Sequence, residues 1–143
     1  MARCLLALII VLILSIPALA EDIAIIKSVQ GTVKIKRSDD ILIARQSDNL
    51  QADDILITEK KSHVGIIFHD GSVLSLRENS FLRITEFEFK PIENKFKFKL
   101  KLKKGAALFE SGKIGTLSPD DFSFEVPKGT IGIRGTKFLV EVR

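Results

Sequence analysis

The chain has 143 residues, enough for one domain with one core, and a net charge of +4, a mild basicity that disfavours strongly cationic partners without selecting any one ligand. Its single cysteine, Cys4, excludes an internal disulfide framework. It has no Trp and no Tyr, so it lacks the rings that most often stack on sugars or anchor interfaces, and carbohydrate binding is not expected.

Met1-Ala2-Arg3 gives a short basic start, Leu5 to Ile16 an apolar run interrupted only by Ser15, and Pro17 its end. Ala18-Leu19-Ala20 has the small-x-small pattern read by signal peptidase. Residues 1–20 are therefore expected to be a secretory signal peptide cut after Ala20, and residues 21–143 a domain exported to the periplasm or beyond. The competing reading is a retained anchor, but the run is shorter than the roughly 20 apolar residues of a spanning helix. Glu21 stands where a lipidated cysteine would be required. Cleavage removes Cys4, leaving an exported chain with neither disulfide nor thiolate, stabilised by packing alone.

From Ile23 onward apolar and polar residues alternate in short runs broken by Gly, Asp, Asn and Ser, with no helical stripe, and the pattern is all-β. Ile23–Val29 and Thr32–Arg37 flank Gln30-Gly31, and Ile41–Arg45 and Ile55–Thr58 read as shorter strands. Val64–Phe68 and Val73–Leu76 are joined by His69-Asp70-Gly71-Ser72, a turn in which Asp-Gly tolerates positive φ. Thr85–Lys90 and Lys95–Lys103 alternate around Pro91-Ile92-Glu93-Asn94. Setting Lys90 opposite Lys95 places Phe89 against Phe96 and Phe87 against Phe98 on one face, and Glu88 against Lys97 and Glu86 against Lys99 on the other. That register fails at Ile84, which predicts a bulge or a strand end near Thr85. Phe109, Phe122–Val126 and Phe138–Val142 supply the last strands, with a loop at Ser118-Pro119-Asp120-Asp121.

Lys95, Lys97, Lys99, Lys101 and Lys103 space ammonium groups about 7 Å apart along one strand face. A solvated row, or one guarding an edge strand against aggregation, is the favoured reading; contact with anionic polymers or lipid headgroups, and so a peripheral membrane role, is the alternative. His63 and His69 have no cysteine to join them in a zinc site, so no metal is expected. His69, Asp70 and Ser72 carry the letters of a hydrolase triad but sit in one turn, where they cannot converge on a substrate. The glycines at 129, 132 and 135 miss the phosphate-loop spacing and are followed by a strand. Gly132-Ile133-Arg134-Gly135 has the letters of a nucleic-acid GxxG loop without that module's helices, so no nucleic-acid ligand is expected. Arg134 is read first as a structural clamp and second as a ligand-recognition group.

These motifs, in their order, resemble the FecR domain, the extracytoplasmic β-rich module of ferric-citrate-type regulators, over roughly Val29–Val142. The resemblance runs through Gly31-Thr32-Val33, Asp54-Ile55-Leu56-Ile57-Thr58 and Ser62. It continues in Phe68-His69-Asp70-Gly71-Ser72-Val73, Asn79-Ser80-Phe81-Leu82 and Lys104-Gly105-Ala106, which resembles a glycine turn. It ends in Val126-Pro127-Lys128-Gly129 and Gly132-Ile133-Arg134-Gly135-Thr136-Lys137-Phe138, with Asp53 and Val126 departing from the usual glycine and threonine.

The resemblance implies an all-β, partly solenoid-like or sandwich-like module without enzymatic activity or cofactor. It implies sensing or binding of an envelope protein, in the best-known members the signalling domain of an outer-membrane receptor. It marks Asp54, Thr58, Asp70, Gly71, Ser72, Pro127, Gly132, Arg134, Gly135 and Thr136 as structural or interaction residues. The best-known members carry a sigma-factor-binding segment and a membrane helix ahead of the domain. Here only the signal-like segment stands there, a departure that argues against sigma regulation by this chain and leaves its part in such signalling open. The resemblance sets no oligomeric state.

Overall fold

The computed structural model describes residues 19–133 and 137–143. Strands β1 (Asp22–Gln30), β2 (Val33–Arg37), β3 (Asp40–Ile43) and β4 (Asn49–Gln51) come first. β5 (Ile55–Thr58), β6 (His63–Phe68), β7 (Val73–Leu76), β8 (Phe81–Lys90) and β9 (Lys95–Glu110) follow. A short helix, α1 (Lys113–Leu117), precedes β10 (Phe122–Val126), β11 (Gly129–Ile131) and β12 (Lys137–Val142). The protein is all-β, one curled and mostly antiparallel sheet that forms a half-barrel. Period-two patterning places the core: in β6, Val64, Ile66 and Phe68 are buried while their neighbours are exposed or half-buried.

The sheet runs β3-β2-β5-β8-β9-β7-β6-β1-β4, with β10, β11 and β12 off this path. The hairpin of β8 and β9 has the register that its side chains predict, Lys90 with Lys95, Phe89 with Phe96, Glu88 with Lys97, Phe87 with Phe98 and Glu86 with Lys99. The register then shifts between Ile84 and Glu86, so Thr85 is the bulged residue and Ile84 faces Leu100.

Two expectations are corrected in this region. Lys104-Gly105-Ala106 is not a turn: Gly105 has φ +96° and lies inside β9, which pairs with β8 as far as Lys104 and with β7 from Ala107 to Glu110. One strand thereby belongs to both halves of the sheet, and the glycine is where it bends. Ser118–Asp121 is not an open loop either, since α1 and a single 3₁₀ turn, Pro119–Asp121, fill this region. Only Ile114 of α1 is buried, and one inward side chain leaves no periodicity to read.

Beyond β8 and β7, β9 carries β10 in parallel from Phe98 to Lys101 and β12 antiparallel from Gly105 to Glu110. Phe98 therefore lies in the middle of the molecule, fully buried. Its ring centroid is 4.6 Å from Phe68, 4.9 Å from Phe87, 5.4 Å from Phe122 and 5.6 Å from Phe109, within the range of favourable edge and offset ring contacts.

Candidate functional site

The buried polar residues Asp54, Thr58, Ser62, Asp70, Ser72 and Ser80 all act as clips between chain segments. Asp54 precedes β5 and receives Arg37 from the end of β2 through both carboxylate oxygens, at 2.9 Å from Nε and 2.7 Å from a terminal nitrogen. It also accepts the Gln51 N–H at 2.8 Å, while Arg37 reaches the Asn49 carbonyl at 3.1 Å. The pair thus joins β2, near one end of the sheet path, to β4 at the other end. The hydrogen bond and charge of Asp54 raise the Arg37 pKa above its ordinary value against a smaller opposing effect of burial. With its pKa raised, the pair's contribution is present below the ordinary arginine pKa and lost only above it, so it is constant across neutral pH. Asp54→Ala leaves the Gln51 N–H unpaired and Arg37 without its carboxylate. Because Arg37 is one-third exposed, the expected loss is about 2–3 kcal/mol rather than that of a fully buried pair. Urea denaturation measures it, and a loss below about 1 kcal/mol would contradict the clip.

Thr58 Oγ1 donates to the Arg77 carbonyl at 2.6 Å and accepts the Ser80 N–H at 2.8 Å, fixing the loop between β7 and β8. Ser62 Oγ accepts the Thr32 N–H at 2.8 Å. In the turn between β6 and β7, Asp70 accepts the Ser72 N–H at 2.9 Å, the Ser72 hydroxyl at 2.8 Å and the Ile114 N–H at 3.2 Å. Ser72 Oγ in turn accepts the Gly112 N–H at 2.8 Å. Asp70 and Ser72 thus hold the entry to α1, and Gly71 between them takes φ +85° with open space around it.

Pro127 and Lys128 form the exposed two-residue turn from β10 to β11, where Val126 pairs with Gly129. Gly132 is exposed. Arg134, Gly135 and Thr136 lie outside the described residues, as does the expected signal peptide up to Ala18, so the clamp expected of Arg134 falls there.

The five lysines of β9 share one exposed face. Lys97 and Lys99 each approach Glu86 at 3.9 Å, Lys95 lies 3.8 Å from Glu93, and Lys103 sits 5.3 Å from the centre of the Phe81 ring. The edge-guard reading is corrected: between Phe98 and Lys101, β9 has β8 on one side and β10 on the other. The row is a stripe on an interior strand, and guarding an edge does not explain it.

Sequence reasoning missed Arg37, Ser80 and Gly112. Asp54, the second residue of the Asp53-Asp54 pair and the one that abuts the apolar Ile55–Ile57 run, was the available signal, since a carboxylate entering a core calls for a fixed cation. Among the described residues no cluster of three or more His, Cys, Asp or Glu is placed to hold a metal ion.

These features define a β scaffold whose buried polar groups serve its own turns. The family model described as FecR protein matches residues 54–143, from Asp54 through β5 to β12, and the chain belongs to the FecR family. Neither the curated proteins nor the solved structures gave a match. The Gly31-Thr32-Val33 motif lies ahead of the matched segment. The family is one of regulatory, non-enzymatic envelope modules whose domains are extracytoplasmic. No helix among the described residues is long and apolar enough to cross a membrane.

Proposed function

We propose that this chain is an exported FecR-domain protein without enzymatic activity, acting in the cell envelope by protein–protein contact at an open sheet edge that accepts a partner's strand. What supports the reading is how the residues are used. Each buried polar residue bonds the chain's own backbone, whereas the edge strands β3 and β12 expose Ile41, Ile43 and Leu139. The signal-like residues 1–20 support export.

A photo-crosslinking residue at position 139, in cells expressing the protein, is expected to trap a specific envelope protein, and the same residue at position 101 is not. Absence of any protein adduct at position 139 would count against the proposal. A second reading, binding of anionic polymers or lipid headgroups, is favoured by one observation: Lys101 and Lys103 make no ion pair among the described residues. It requires binding to vesicles with anionic headgroups that weakens steeply with salt.

A further inference from the structure

The two ends of the sheet path are finished differently. At β4 the Gln51 N–H and the Asn49 carbonyl are taken up by Asp54 and Arg37. At β3 no side chain among the described residues takes their place. Ala44 donates its N–H to the Val33 carbonyl at 2.8 Å, and β3 pairs with β2 through Ile43 with Lys34, Leu42 with Ile35, Ile41 with Lys36 and Asp40 with Arg37. Antiparallel ladders alternate, so Ala44, Leu42 and Asp40 turn their backbone groups to β2, and Ile41 and Ile43 turn theirs outward. All four residues of β3 are exposed, Ile41 at 63%, Leu42 at 42% and Ile43 at 55%. Apart from the charge of Asp40 at its start, the strand has no lysine, proline or bulge of the kind that usually protects an edge.

We infer that β3 is a self-recognition edge, pairing antiparallel with β3 of a second copy about a twofold axis through Leu42. The outward parity of Ile41 and Ile43 sets this register. Ile41 of each copy lies opposite Ile43 of the other, which satisfies the outward N–H and C=O groups of both, and Leu42 meets Leu42 in the close non-hydrogen-bonded position. The charges agree. Asp39 leads into the strand, Asp40 begins it and Arg45 follows it, all three exposed and without an ion pair among the described residues. In this register Arg45 of each copy falls opposite Asp39 of the other, whereas parallel pairing would bring like charges together. Beside the strand, a groove of about 650 Å³ is floored by Ile35 and Leu42 and rimmed by Arg37, Arg45 and Asp48, and the second Leu42 closes over its apolar floor. An isologous contact of this kind closes on itself and leaves β12 free for a different partner. The inference rests on the strand-addition reading of the fold, applied to the other open edge.

Sedimentation equilibrium of the purified, cell-processed protein tests it. The expected result is a concentration-dependent monomer–dimer equilibrium. Ile41→Pro is expected to weaken it at least tenfold with the melting temperature little changed, because the N–H that proline removes faces away from β2. Arg45→Asp is expected to weaken the dimer, and Asp39→Arg added to Arg45→Asp to restore it. A monomer at all concentrations up to about 1 mM, or a dimer indifferent to both Ile41→Pro and Arg45→Asp, overturns the inference. So does a different protein crosslinked at position 43 of the monomer. A monomer that still crosslinks through position 139 refutes the self-pairing alone, and a dimer with no adduct at 139 refutes only the envelope partner.

Discussion

Phe98→Ala is expected to destabilise the protein by about 4 kcal/mol, the range for truncating a buried phenylalanine, and to lower the melting temperature by roughly 15 °C. The ring is fully buried and touches Phe68, Phe87, Phe109 and Phe122, which belong to β6, β8, β9 and β10. A cavity there has walls on four strands that hydrogen bonds hold in place, so it cannot collapse by moving one of them. Phe96 lies two residues earlier on the same face but is half-buried, with its ring 6.1 Å from Phe89 alone. Phe96→Ala is expected to lose less than half as much. Calorimetry on the two variants distinguishes a hub from a uniform aromatic layer, and equal losses would rule out the hub.

Gly105→Ala is expected to lose about 2–5 kcal/mol. Left-handed backbone costs a non-glycine residue about 1–2 kcal/mol, and the added Cβ would sit 2.5 Å from the Ser80 Cα, a collision with main chain whose relief costs about 1–3 kcal/mol more. The close approach has a purpose, because Ser80 Oγ accepts the Ala106 N–H at 3.1 Å where β9 changes partners. Gly71→Ala is the matched control. Its φ is +85° but nothing stands near a Cβ there, so only the backbone penalty of about 1–2 kcal/mol applies. Urea unfolding of the two variants therefore separates clash from conformation. Similar losses in both would show that the bend in β9 does not depend on its contact with Ser80.

The features that reach the sequence surface are those in which two chemistries repeat together. In the β8–β9 hairpin, phenylalanines and an acid–base pattern alternate on opposite faces, and only one register satisfies both, down to the bulge at Thr85. The bend at Gly105 was hidden because a glycine between a lysine and an alanine looks the same in a turn and in a kinked strand, and only the partners of Ala107–Glu110 distinguish them. The parallel placement of β10 on β9 has no local signature, and it is what turns the lysine stripe from an expected edge guard into the face of an interior strand. At the polar clips the sequence marks one partner of each. Asp54, Asp70 and Ser72 stand out by motif, but their respective partners Arg37, Ile114 and Gly112 are distant in sequence and resemble ordinary strand-end, helix and loop residues.

The membership of β9 in both halves of the sheet has a mechanical consequence. Phe138 lies on the open edge strand β12, 5.5 Å from Phe109, which lies 5.6 Å from Phe98, itself 4.6 Å from Phe68 on β6. Close-packed interiors have little free volume in which to absorb a displacement. A tug on β12 from outside is therefore taken first by its ladder on β9, and any shift of β9 displaces this row of rings toward the far side of the half-barrel, so the edge behaves less like a sticky margin than like the handle of a lever.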